Sequence, residues 1–445
     1  MGTVVGILFP ALAFLILFSY SSSAPTTTTT ESPVEEGPRA VPTLKLLVVF
    51  TRHGSRGPIY TFPTSPYQRD DLKYWPYGEA QLTNRGRARL YKLGKKVRSL
   101  YNGFLDELYQ QEDIRANSTL YVRSMISAEH FLAGLYPPKG YQVWSDELQW
   151  QAIPLFPNYV DHHQLVYSKE TRWCPRFHAA KRKSLLRFVK EYESNLTEIF
   201  DYVKPYTEIE RMEPLDDSIS KWAAMYTLWE SMFCPVSSDH LKLYTDHNTV
   251  ATLPLDDSIS KWAAMYTLWE SMFCPDEEGL PLPEWTKKIY PHPMTEMADK
   301  LLRVGAIGSD TQIKYLQGEY FQEVANLMKA KVNGTLTPDR KMFYYAGHDY
   351  TLLGMQGILG LADEPTGHLN ARTGSSLILE LHKDQDTSQY SVKVVYIDGS
   401  SEDLEPIDVD IPGCGSPCDF HLLMSKAEKY YDIKNWQTEC QIIED

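Results

Sequence analysis

Two kinds of hydrophobic pattern run along this chain. "LKLLVVF", Leu44 to Phe50, is a continuous apolar run of strand length. It predicts a central strand buried on both faces, since a half-buried strand would alternate apolar and polar positions. "KMFYYAGHDY" (Lys341 to Tyr350) contains a second such run, with a strand predicted over Met342 to Ala346. "STLYVRS" (Ser118 to Ser124) is rich in β-formers and predicts a strand over Thr119 to Val122. "SSLILELH" (Ser375 to His382) and "YSVKVVYI" (Tyr390 to Ile397) predict further strands at the sheet edge.

The other pattern is helical. "PLDDSISKWAAMYTLWESMFCP" occurs twice without a mismatch, at Pro214 to Pro235 and at Pro254 to Pro275. Each copy reads as an amphipathic helix. In the first, Asp217 or Ser218 can cap the start, and Ile219, Trp222, Tyr226, Trp229 and Phe233 follow near-helical spacing. Solenoid repeats diverge and need about three units. Two perfect copies around an unrelated 18-residue spacer instead suggest a very recent duplication or an error in assembling the coding sequence. The region 151–280 is richer in helix and aromatic residues and predicts a smaller helical cap. The expected architecture is α/β: a largely parallel sheet with helices on both faces. The core is expected in two parts, 44–150 and 281–445, around the cap.

Before the first strand the pattern changes. Met1 to Ala24 carries no charged side chain, and its apolar centre, Gly6 to Phe18, has signal-peptide length. Residues 25–43 form a Thr/Pro-rich stretch without periodicity and predict a disordered linker. The expected product is secreted, or lumenal in a lysosome, with no stable membrane anchor. Sequons at Asn117, Asn195 and Asn333 fit that route.

A net charge of -14 and a pI near 5.4 argue against nucleic acid as a partner. An anion site must then be built locally. The apolar run from Leu44 leads into "TRHGSRGP", with Arg52, His53 and Arg56 in the loop after a buried strand, and ligands bind at that end of α/β sheets. Arg52 and Arg56 carry fork-shaped donors suited to phosphate. His53 is a candidate nucleophile, and Gly54 and Gly57 permit close backbone approach to a ligand. The second strand leads to His348 and Asp349, and the β-rich stretch ends in Arg123. Three strands would thus deliver an anion site, a nucleophile and an acid to one edge. "DHH", Asp161 to His163, lacks further spaced ligands and reads as a solvated loop, and His178 reads as structural.

"RHGSRGP" paired with "GHD" resembles the histidine acid phosphatase family, especially its secreted, lysosomal-type and venom members in invertebrates. The resemblance runs from about Leu44 to Cys440. It takes in Tyr74 to Arg98, similar to the family's "LT..G..Q...LG..LR" helix, together with "SAEHFLAGLYPP", "WCPRF" and "LPLPEW". It implies that His53 attacks phosphorus to give a phosphohistidine, while Arg52, Arg56, Arg123 and His348 hold the equatorial oxygens and Asp349 protonates the leaving group. It implies no metal or other cofactor, small phosphomonoester substrates, and leaves a homodimer open. Ser55 stands where the mutase branch has an acid, which disfavours a mutase. Phytase-like and lysophospholipid-directed phosphatases are the alternatives, as is a weakened secreted paralogue acting as a binding protein.

The last alternative rests on a departure. After Arg123 the family continues "RSTDVDRTLMSA" or similar, whereas this chain reads "VRSMISAEHF", about six residues shorter. The cysteines number six. "GCGSPC" suits a local Cys414–Cys418 disulfide; the resemblance implies this pair and a long-range Cys174–Cys440 bridge. Cys234 and Cys274, one in each repeat copy, are left without their vertebrate-type partner, which is replaced near Ser376.

Overall fold

The structure, a computed structural model, describes residues 36–157, 174–208, 257–362 and 369–441. The expected signal segment, the first repeat copy with Cys234, and the Asp161 to His163 loop lie outside the described residues.

Among the described residues the sheet has eight strands: β1 (Leu44–Arg52), β2 (Ile114–Ser118), β3 (Leu155–Pro157), β4 (Met342–Gly347), β5 (Ser376–Lys383), β6 (Tyr390–Ile397), β7 (Pro406–Val409) and β8 (Cys418–Asp419). Their order is β3-β2-β4-β1-β5-β6-β7, with β8 also on β6. The four strands from β3 to β1 are parallel to one another. β5 runs antiparallel to β1 and starts an antiparallel hairpin series through β6 and β7. The two strands expected at an edge are therefore interior. Their near-continuous burial fits that position, since both faces of the sheet are covered.

Strand alternation sorts the side chains of β1. Leu46, Val48 and Phe50 join a core with Phe321, Val324, Leu352 and Leu423, and Leu47 and Val49 join one with Leu90, Leu93, Phe131 and Leu135. These residues come from helices on opposite faces of the sheet. On one face lie α1 (Asn84–Leu100), capped by Thr83 accepting from the Gly86 amide at 3.1 Å, and α2 (Val122–Leu135). A third core joins α3 (Pro175–Thr207), α4 (Asp257–Glu277) and α5 (Met294–Ile307) through Phe188, Ile199, Met265, Trp269 and Met297. α4 carries the second repeat copy as a helix, as its pattern predicts. The remaining helices are α6 (Asp310–Val332), α7 (Asp349–Ile358), α8 (Phe420–Tyr431) and α9 (Trp436–Gln441).

Three expectations need correction. β2 ends at Ser118, and the chain from Val122 is already helical, so Arg123 sits in a first helical turn instead of at a strand tip. The Thr119 amide still donates to the Ala346 carbonyl, but "VRSMISAEHFLAGL" places Ser124, Ala128, Phe131 and Leu135 on one buried face. That helical burial overrides the β-propensity of its first residues. The expected linker ends early too: Gly37 and Arg39 donate backbone hydrogen bonds to Asn102 and Leu100. The Arg39 guanidinium reaches Glu380 and Asp408, both at 2.5 Å. Finally, Asn117 is buried between β3 and β4, with its Nδ2 inaccessible, so a glycan there is incompatible with the sheet. Asn195 and Asn333 are exposed.

Cys174 is bonded to Cys440 and Cys414 to Cys418. Cys274 is a buried free thiol. Among the described residues no helix is long and apolar enough to cross a membrane.

Candidate active site

Strand register does the positioning. Arg52 pairs with Gly347, and Ser118 with Ala346, so β1, β4 and β2 end side by side. The residues next along the chain are His53, His348 and Thr119. The His53 and His348 rings meet edge to face with centroids 5.3 Å apart. His348 Nε2 lies 3.1 Å from the Thr119 hydroxyl and 3.3 Å from that of Ser124, and Tyr121 packs edge-on against its ring.

His53 is fixed from three directions. Its amide donates to the Gly347 carbonyl, its own carbonyl accepts from Gly374, and its Nδ1 lies 2.8 Å from the Gly54 carbonyl oxygen. A carbonyl only accepts, so Nδ1 carries the proton and Nε2 keeps its lone pair. Burial, then the positive charges of Arg123 and Arg52, hold the His53 pKa well below the ordinary value. Burial and the same arginines depress His348. Both rings are therefore biased toward the neutral form.

Arg52 and Arg56 are braced through their terminal nitrogens, and Arg123 through an aromatic ring. Arg52 donates from Nη1 to the Ala371 carbonyl at 2.6 Å, and its Nη2 stands 3.0 Å from Asp349 Oδ2. Arg56 donates from Nη1 to the Gly57 carbonyl at 2.9 Å and from Nη2 to Glu270 Oε1 at 2.6 Å. Arg123 lies over the Tyr121 ring, 4.5 Å from its centroid. In all three, Nε is buried and has no hydrogen-bond partner among the described residues. Burial pulls the Arg123 guanidinium down to about 10, and Arg56 adds to that. Arg56 itself is raised, because Glu270 outweighs the cost of burial.

All six residues expected from the sequence are thus brought together, and the shortened stretch after Ser124 keeps Arg123 in the cluster. It also places the Ser127 hydroxyl 3.1 Å from the Gly54 amide. Gly54 has a role beyond the expected one: a β-carbon there would stand 2.4 Å from the Gly86 carbonyl oxygen. The glycine lets the loop meet the start of α1.

Several neighbours were not read from the sequence. Glu270 and Tyr266 come from α4, and Glu277 sits at its end, half-buried against Thr373 and Ser55, with desolvation raising its pKa. One signal was available: "TLWESMF" sets a carboxylate inside an apolar helical stripe. A buried carboxylate calls for a cationic partner.

An imidazole with a free Nε2 lone pair, buried guanidinium donors and a carboxyl at a helix start have the chemistry that phosphoryl transfer needs. The profile of the Histidine phosphatase superfamily (branch 2) matches residues 43–397, and the chain belongs to that family. It is 28% identical over 401 residues to prostatic acid phosphatase of Bos taurus, covering 90% of this chain and 88% of the relative. It is 25% identical over 410 residues to human lysosomal acid phosphatase, covering 91% and 82%. Among solved structures it resembles the Hafnia alvei phytase in complex with tartrate, with a TM-score of 0.59 and 18% identity over 90% of this chain and 99% of that one. The phytase from Citrobacter braakii gives a TM-score of 0.58 at 15% identity, covering 90% and 100%. At such identities the structures speak for the fold.

Proposed function

We propose that this chain is an acid phosphatase acting on small phosphate monoesters through a phosphohistidine. The observation that carries the reading is a set of three buried Nε–H donors, of Arg52, Arg56 and Arg123, without partners among the described residues, beside a histidine whose Nε2 carries a lone pair. Such donors match the oxygens of a phosphoryl group, whose charge spreads in the transition state.

In the first displacement His53 Nε2 forms a bond to phosphorus as the ester P–O bond breaks, and Asp349 gives its proton to the leaving oxygen. In the second, water attacks the phosphohistidine. Asp349 takes its proton, the N–P bond breaks, and phosphate leaves. Splitting hydrolysis this way replaces one hard step by two easier ones. The depressed His53 supports operation in acid, because an ordinary imidazole would be protonated there and lose its nucleophilicity.

The test is hydrolysis of p-nitrophenyl phosphate at about pH 5 by the secreted chain and by His53→Ala. Activity lost in the variant is expected. Equal activity in both removes His53 as nucleophile. No activity in either, with phosphate still bound, makes the chain a binding protein.

The reading extends to secretion or a lysosomal lumen, with glycans at Asn195 and Asn333. A homodimer is supported by the exposed Tyr141, Trp144, Leu148 and Trp150 near the edge strand β3, where Phe156 is also exposed. Sedimentation velocity of the wild type and of Tyr141→Ser/Trp150→Ser checks it.

A further inference from the structure

We infer that Glu270 is a positioning residue for Arg56, and that only the second copy of the repeated segment supplies it. The inference rests on the phosphatase reading and deepens it.

Glu270 is 1% exposed, and each of its oxygens is used. Oε1 accepts from Arg56 Nη2 at 2.6 Å, and Oε2 accepts from the amides of Ile59 at 3.1 Å and Tyr60 at 2.9 Å. One carboxylate thus ties the guanidinium to the backbone that leaves the RHGSRG loop. With Nη1 held by Gly57, the Arg56 fork has one orientation, and its buried Nε–H is left as a free donor among the described residues. A buried charge without such pairing is strongly unfavourable, so the pair behaves as a unit.

The residues just beyond each copy distinguish the two. After the second copy come Asp276, Glu277 and Glu278. Asp276 accepts from the Tyr290 hydroxyl at 2.8 Å, Glu277 takes the Thr373 and Ser55 hydroxyls, and Glu278 accepts from Thr83 at 2.7 Å. These contacts fasten the end of α4 to the nucleophile loop and to the cap of α1. The first copy contains the equivalent Glu230, but is followed by Val236, Ser237 and Ser238. That sequence lacks all three carboxylates.

The experiment uses the full chain as wild type, Glu270→Gln, Glu270→Asp and Glu230→Gln. It measures kcat and KM on p-nitrophenyl phosphate, inhibition by inorganic phosphate, and the thermal midpoint with and without inorganic phosphate. Gln keeps an oxygen for the two amides but loses the ion pair. The expected result for Glu270→Gln is a fall in kcat/KM of about tenfold to a hundredfold, the scale of a slightly misplaced catalytic group. Phosphate inhibition and the phosphate-induced midpoint shift should weaken with it. Glu270→Asp recovers part of each, and Glu230→Gln matches the wild type.

The inference is overturned if Glu270→Gln lowers only the midpoint and leaves kcat/KM and phosphate inhibition intact. It is also overturned if Glu230→Gln carries the loss. The midpoint shift reads phosphate binding without turnover, so a chain that binds but does not hydrolyse still tests Glu270. A wild type with neither turnover nor a shift removes the phosphatase reading, and this inference with it.

Discussion

Arg52 Nη2 lies 3.0 Å from Asp349 Oδ2, so the residue before the proposed nucleophile also holds the proposed acid. Asp349 Oδ1 accepts from the Tyr350 amide at 2.8 Å. The carboxyl is therefore oriented by the loop after β1 and by the first turn of α7. For Asp349→Asn we expect kcat on an alkyl ester such as glycerol phosphate to fall by about two to four orders of magnitude, the range of general acid catalysis. The loss on p-nitrophenyl phosphate should be smaller, since nitrophenolate leaves without a proton. Equal losses on both substrates would mean that Asp349 is not the proton donor.

Arg123 has no carboxylate ion pair among the described residues, while Arg52 and Arg56 each have one. Its burial is a cost that a bound phosphate dianion offsets. Arg123→Met should leave the thermal midpoint of the free protein unchanged or raised. It should lower kcat/KM by about a hundredfold to a thousandfold, as removal of one transition-state donor does. Thermal melts of the free protein check the first half, and turnover of p-nitrophenyl phosphate checks the second. A fall in the free protein's midpoint would place Arg123 among the stabilising residues.

His53 and His348 both have depressed pKa values in the fold, through burial and the nearby arginines. The unfolded chain therefore binds protons that the folded one does not. Their stabilising contribution is whole above the unfolded value of about 6.5, declines as pH falls below it, and is gone beneath the depressed folded values. Glu380 acts in a different window. Burial would raise its carboxyl, but donors from His382, Arg39 and Tyr101 outweigh that and hold it down to about 2. Its contribution is lost only between about 4.5 and 2. Urea denaturation across pH should show stability already declining between about 6.5 and 4.5, and His348→Asn should make that decline shallower. An unchanged slope in the variant would show that His348 is not buried neutral.

Gly54→Ala should destabilise the fold by about 1–3 kcal/mol, the usual cost of overpacking a tight contact. The new β-carbon would meet the Gly86 carbonyl, which is backbone and cannot swing aside. Because Gly54 follows His53, kcat should fall as well. Denaturant midpoints give the first effect and turnover the second; a stable, fully active variant would show that α1 yields at this contact.

The sequence alone determined two of the strands that carry the chemistry, β1 and β4. An apolar run such as Leu44 to Phe50 can only be satisfied by burial on both faces, and a polar loop must follow where that burial ends. Arg52, His53, Arg56, His348 and Asp349 were legible for that reason, whereas Arg123 was read at the tip of a strand that proved to be a helical turn. Tertiary structure decided what local pattern cannot carry. The register of Arg52 with Gly347 and Ser118 with Ala346 sets His53 beside His348 across almost three hundred residues of chain. Packing of Phe131 and Leu135 turned "VRSMISAEHF" into a helix despite its β-forming start. Partners such as Arg56 and Glu270 are separated by 214 positions, and their meeting depends on how α4 seats against the loop. Periodicity reports which face of an element is buried; which buried charge meets which is fixed only when the elements pack.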